Sequence, residues 1–123
     1  MSLKRVDEIT AEEVSSIASH TGGDFTVEDV VENVKRGIWK ALRVYDGDVQ
    51  TGAVIYNVFP NKMAFIFVIV GKLITTEDNW KELQTILKED GAIKIEAAMR
   101  DSTLRLWSRI GFTKKYNVAE VYL

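Results

Sequence analysis

Residues 63–70, Met-Ala-Phe-Ile-Phe-Val-Ile-Val, constrain this chain more than any other segment. An unbroken apolar run entered through Pro60-Asn61 predicts a strand buried on both faces, because a half-exposed strand would alternate apolar with polar residues. It is also the longest apolar stretch and far too short to cross a bilayer, which takes about 20 such residues as a helix. A strand of this kind must lie inside a sheet covered on both sides.

The segments around it supply that sheet and its cover. Thr10 with Glu13 three residues on is a capping box, and Val14, Ile17 and Ala18 share one helical face, which predicts a short helix over about 10–20. Thr26 with Asp29 opens a second helix carrying Val27, Val30, Val31 and Val34, and Gly37 sits where a left-handed C-cap is wanted. From Ile38 the period changes to two. A strand there turns at Asp46-Gly47 into a second strand over about 50–59, and the Pro60-Asn61 turn leads into the buried run.

Thr76 caps a third helix, with Trp80, Leu83 and Leu87 on its buried side and Gly91 at its end. Ala92–Met99 is then a strand reached by a helical crossover, which makes it parallel to its partner. A fourth helix starts at Asp101 or Ser102 and stops at Gly111, and a last strand covers Tyr116–Tyr122. The predicted class is α+β with a mixed α/β sheet, in the order ααβββαβαβ; the opening Met1-Ser2-Leu3 is given no role.

Composition narrows the function classes. A chain of 123 residues with 46% hydrophobic residues forms one domain, residues 1–123, with a core of ordinary size. With no cysteine, disulfides, thiolate metal sites and a thiol nucleophile are excluded. The 18 acids and 16 bases are mixed along the chain, so no basic face points to nucleic acid. No stretch suits a membrane or a signal peptide, and the expectation is a soluble cytoplasmic protein.

The order of elements and the ending Ser102-Thr103-Leu104-Arg105-Leu106-Trp107-Ser108-Arg109-Ile110-Gly111-Phe112 resemble the GNAT acyltransferase superfamily, whose last helix often reads Asn-x-x-Ala-x-x-Leu-Tyr-x-x-x-Gly-Phe. Glycine supplies the chain reversal and Phe112 plugs the core beside the final strand. The resemblance implies acetyl-CoA as cofactor, held by the backbone of Val68, Val70, Gly71 and Thr76 at the end of the central strand and the start of the next helix.

Two departures from the family pattern stand out. The family cradles pyrophosphate in a Gln/Arg-x-x-Gly-x-Gly/Ala loop, whereas Val70–Asp78 holds one glycine, no arginine, and Glu77 and Asp78 where the helix dipole would welcome an anion. Trp107 stands where many members carry the tyrosine that protonates the leaving thiolate, and an indole N–H gives up no proton at useful pH. Glu96 is the candidate general base, the other reading being a carboxylate paired with Lys94 or another neighbour.

Other candidates are less marked. His20 is the single histidine and has no evident partners for a metal, so none is expected. Trp39, Trp80 and Trp107 each lie in an apolar pattern and read as core. Lys114-Lys115 reads as a solvated turn or a small phosphate-binding patch.

Two functions compete: a scaffold that has lost standard catalysis and serves binding or assembly, or an acetyl-CoA-dependent N-acyltransferase with a nonstandard pyrophosphate grip. The scaffold reading is accompanied by a likeness in size and element order to the GNAT-like internal virion proteins of short-tailed bacteriophages, which would make the protein virion-associated. Either function is compatible with a homodimer or protein partner formed through sheet edges or the apolar residues Val118, Val121 and Leu123.

Overall fold

The computed structural model describes residues 2–15, 25–71, 77–98, 104–105, 107–115, 119 and 121–123. The chain begins with a strand. β1 (Ser2–Val6) is followed by α1 (Val27–Lys35), β2 (Lys40–Asp46), β3 (Val49–Val58), β4 (Met63–Gly71), α2 (Glu77–Glu89), β5 (Lys94–Ala97) and a 3₁₀ turn over Ser108–Ile110. The five strands form one sheet in the order β1-β2-β3-β4-β5. The first four are antiparallel neighbours, and β5 runs parallel to β4 as the helical crossover requires.

β1 corrects the expected order, which opened on a helix. Its pattern is short and charged, as suits a sheet edge; Leu3 is buried in the α2-side core, with its N–H donating to Glu82 Oε1 at 2.9 Å, and Val6 packs partly buried on the α1 side. The capping box at Thr10 does form: Thr10 N–H donates to Glu13 Oε1 at 3.0 Å and Glu13 N–H to Thr10 Oγ1 at 3.3 Å. Residues 11–15 nevertheless make turns instead of a helix, and residues 16–20 lie outside the described set. The carboxylate of Glu13 is shared with Arg43 and Gln50, so the box serves as an anchor to the sheet.

α1 begins as its sequence dictates, with Thr26 and Asp29 exchanging both capping-box bonds. Gly37, at φ 75°, turns the chain into β2. α1 lays Val30 and Val34 against Ala41, Ala53, Ile55 and Val68 on one face of the sheet. α2 lays Trp80, Leu83, Ile86 and Leu87 against Leu42, Val54, Tyr56, Ala64 and Ile66 on the other. β4 therefore contributes to both cores, as its unbroken apolar run predicts.

At the C-terminal end, Leu104, Arg105 and Trp107 are helical, and the 3₁₀ turn ends at Gly111 with φ 105°. Phe112 then packs on Trp107 and Trp80, at ring-centroid distances of 5.3 and 5.6 Å. The start of this helix and residues 116–118 and 120 of the expected last strand lie outside the described residues; Ala119 and Val121–Leu123 are not in the sheet. Among the described residues no helix is long and apolar enough to cross a membrane.

Candidate functional site

The centre of interest is the end of β4. Its ladder with β3 pairs Tyr56 with Ile66 and Ile55 with Val68, so Phe67 is an extra residue on β4, a β-bulge. The bulge resets the alternation: Ala64 and Ile66 face α2, whereas Phe67 and Val68 both pack on the α1 side. On the opposite edge β4 pairs with β5 only from Met63↔Lys94 to Ile66↔Ala97. β4 continues to Gly71: Val68–Gly71 keep their β3 partners, and among the described residues the ladder to β5 ends at Ile66↔Ala97.

Of the four backbone positions expected to hold a cofactor, Val68, Val70 and Gly71 lie on this free stretch of β4. Thr76 lies outside the described residues. α2 starts at Glu77, with Asp78 exposed in its first turn. A cavity of about 1010 Å³ runs along β5, between Trp80 and Leu87 of α2 and Phe112, and its lining reaches Ala97 and Ala98 where the ladder stops.

Glu96 sits on β5 opposite Phe65, among the same cavity's lining residues. Lys115 Nζ donates to its two oxygens at 2.9 and 3.0 Å, and Lys94 Nζ lies 3.2 Å away. The bond from Lys115, then that from Lys94, holds the carboxyl below the usual carboxylate range. Glu96 is thus ionised and available as a proton acceptor at neutral pH, but a weak one. The pairing with Lys94 raised from sequence is present, and Lys115 joins it from 19 residues downstream.

Trp80 and Trp107 are core residues as expected, edge-on to each other at 6.2 Å. Trp39 is different. It is half-buried and stacked on Phe67 at 4.1 Å and 18°, with Phe25 edge-on to both rings at 5.2 and 5.7 Å and Phe65 against Phe67 at 5.1 Å. This four-ring cluster went unread in the sequence, where only Phe65-x-Phe67 hints that two rings share a strand face. His20 lies outside the described residues, among which no group of three or more acidic or histidine side chains is placed to hold a metal.

No family model matches the sequence, and no curated protein does. Solved structures do match. A putative acetyl transferase from Pyrococcus furiosus superposes with a TM-score of 0.60 at 15% identity, over 99% of this chain and all of that one. Ribosomal-protein-alanine N-acetyltransferase from Brucella melitensis gives 0.67 at 12% identity, with both chains covered fully. An aminoglycoside N-acetyltransferase in complex with CoA gives 0.68 at 8% identity, over 99% of this chain and 93% of that one. The fold is that of the GNAT acetyltransferases.

Measured against that GNAT fold, the residues present fit one part of acetyl-CoA better than another. Among the described residues β4 has no β5 partner past Ile66, and an edge of that kind can donate backbone N–H groups to an extended, amide-bearing arm, as an edge strand does to any added strand. The first turn of α2 is less suited to a pyrophosphate, because the sequence sets Glu77 and Asp78 there. Trp107 is 7% exposed and packs into the α2-side core, where its indole supplies packing and no acidic proton.

Proposed function

We propose that this protein is an N-acyltransferase that holds an acyl-CoA thioester on the backbone of β4, without the usual pyrophosphate loop. The observation that carries this reading is the pairing of a bulge at Phe67 with the end of the β4–β5 ladder at Ile66↔Ala97. Together they leave the β5-side edge of Phe67–Gly71 without a strand partner among the described residues, and the cavity lining reaches the last rungs before it at Phe65, Glu96 and Ala97. Acetyl-CoA would supply the activated thioester. The N–H groups of β4 would orient its carbonyl and take up charge developing on the oxygen. An amine nitrogen would form the new C–N bond as the C–S bond breaks; Glu96 would take the amine's proton, directly or through water, and that proton would pass on through water to the departing thiolate.

A second reading, a GNAT-fold scaffold with a binding or assembly role, is favoured by the anions in the first turn of α2 and by the burial of Trp107. Its partner would be a second copy or another protein, meeting exposed Ile93, Val121 and Leu123; the likeness to phage virion proteins belongs with it.

Calorimetric titration with acetyl-CoA, CoA and desulfo-CoA at low salt separates the two. One-to-one binding in the micromolar range supports the acyltransferase. No heat at high ligand concentration leaves the scaffold reading.

A further inference from the structure

We infer that the protein acylates itself, at the side-chain nitrogen of Lys115. The inference rests on the acyltransferase reading above and names a modification site within the chain.

A general base acts on a proton whose carrier stands about 2.6–3.2 Å away. Lys115 Nζ already stands there, 2.9 Å from one oxygen of Glu96 and 3.0 Å from the other. Glu96 is paired with Phe65 one rung before the ladder to β5 ends, so a thioester close enough for Glu96 to serve it lies close to Lys115 as well. Both residues line the same cavity. An amine from solution would have to displace Lys115 from the carboxylate, whereas Lys115 is in place.

Lys94 Nζ, 3.2 Å from Glu96, is the second amine beside this base among the described residues. Its position suits it less. Lys94 is paired with Met63, three rungs before the last one at Ile66↔Ala97, which is roughly 10 Å of strand. Lys115 comes from the segment after Phe112, outside the sheet, and its side chain is 55% exposed on a flexible four-carbon stem.

The bonds balance with no further reactant. The Lys115 ammonium gives one proton to solvent. Its neutral nitrogen would bond to the thioester carbon as the C–S bond breaks, and Glu96 would take the second proton and pass it through water to the thiolate. The products are an Nζ-acyl-lysine and CoA. The amide carries no charge, so the ion pair between Lys115 and Glu96 is lost.

The test incubates the full chain with acetyl-CoA and reads acetyl occupancy at each lysine by peptide mass spectrometry, alongside calorimetry with CoA. Lys115 should be acetylated at least about tenfold faster than the exposed Lys35 and Lys114, because its nitrogen is held at the base. The rate per molecule should not depend on protein concentration. Glu96→Gln should bring Lys115 down to the rate of those two lysines while the far-UV spectrum and CoA affinity stay as in the parent. In the acetylated protein the Glu96 carboxyl, followed by NMR, should titrate closer to the ordinary carboxylate range. CoA binding with Lys115 acetylated no faster than Lys35 and Lys114 overturns self-acylation and leaves the acyltransferase reading intact, as does a rate that rises with protein concentration. Absence of CoA binding overturns both.

Discussion

Arg43 grips Glu13 with two nitrogens, Nε at 2.9 Å from Oε2 and a terminal nitrogen at 3.0 Å from Oε1. The pair ties the turns after β1 to the middle of β2, and Gln50 of β3 adds a third bond at 2.6 Å. Burial alone would push the Glu13 carboxyl up, but the bonds from Arg43, Gln50 and Thr10 outweigh it and bring it down to about 2.

That depression has a definite sign. The folded value lies below the ordinary 4.5, so the carboxylate stabilises the fold above pH 4.5 and loses that contribution as pH falls toward 2. Glu13→Gln should cost about 1–2 kcal/mol at pH 7, discounted for partial solvent screening, and far less near pH 2. Urea unfolding of both proteins at the two pH values checks this. An equal gap at both would show that the carboxylate's charge is not what matters.

Tyr56 is fully buried and donates its hydroxyl to Asp90, which also receives Arg5. Burial, then the bond to Asp90, pushes the phenol well above its ordinary 10.0. Its contribution is therefore complete below pH 10 and is lost only as pH rises through the folded value. Tyrosinate absorbance should show a component that ionises well above pH 10, and Tyr56→Phe should remove it. Asp90→Ala, which strips the buried hydroxyl of its main acceptor, should cost about 1–3 kcal/mol.

Trp107 stacks edge-on with Trp80 and Phe112, and Trp107→Ala should cost about 3–5 kcal/mol through the cavity it leaves. Trp107→Tyr keeps a ring but gives the core a hydroxyl to satisfy, so thermal unfolding should show a smaller loss. A tyrosine variant as unstable as the alanine one would mean that ring packing is not the source of the stability.

Glu96 gives a kinetic test. With Lys115 and Lys94 holding its carboxyl low, the acid limb of a rate–pH profile should fall below pH 4.5. Lys115→Met should move that limb up toward the ordinary value, and Glu96→Gln should lower kcat by about 100-fold or more if it accepts the proton. An unchanged rate in the glutamine variant removes Glu96 from the mechanism.

Much of the fold was legible because its signals are local. The apolar run of β4 requires cover on both faces, Thr26 and Asp29 cap α1 by their spacing, and Gly47 and Gly111 turn the chain where positive φ is needed. β1 was not legible: five residues with two cations carry too little pattern, and only pairing with β2 and the bond to Glu82 make them a strand. Thr10 and Glu13 form the box that their spacing spells, but the bonds that the same carboxylate accepts from Arg43 and Gln50 join residues far along the chain, which no local spacing marks.

The candidate site divides along the same line. The sequence alone marked β4 and Glu96, through hydrophobicity and the rarity of carboxylates near it. The bulge at Phe67 leaves no residue signature, because it is set by how β3 and β4 register while packing on two cores. The meeting of Phe25, Trp39, Phe65 and Phe67, and of Lys115 with Glu96, joins residues far apart in the chain. Such meetings depend on long-range packing, which no local spacing encodes; only the tertiary structure decided them.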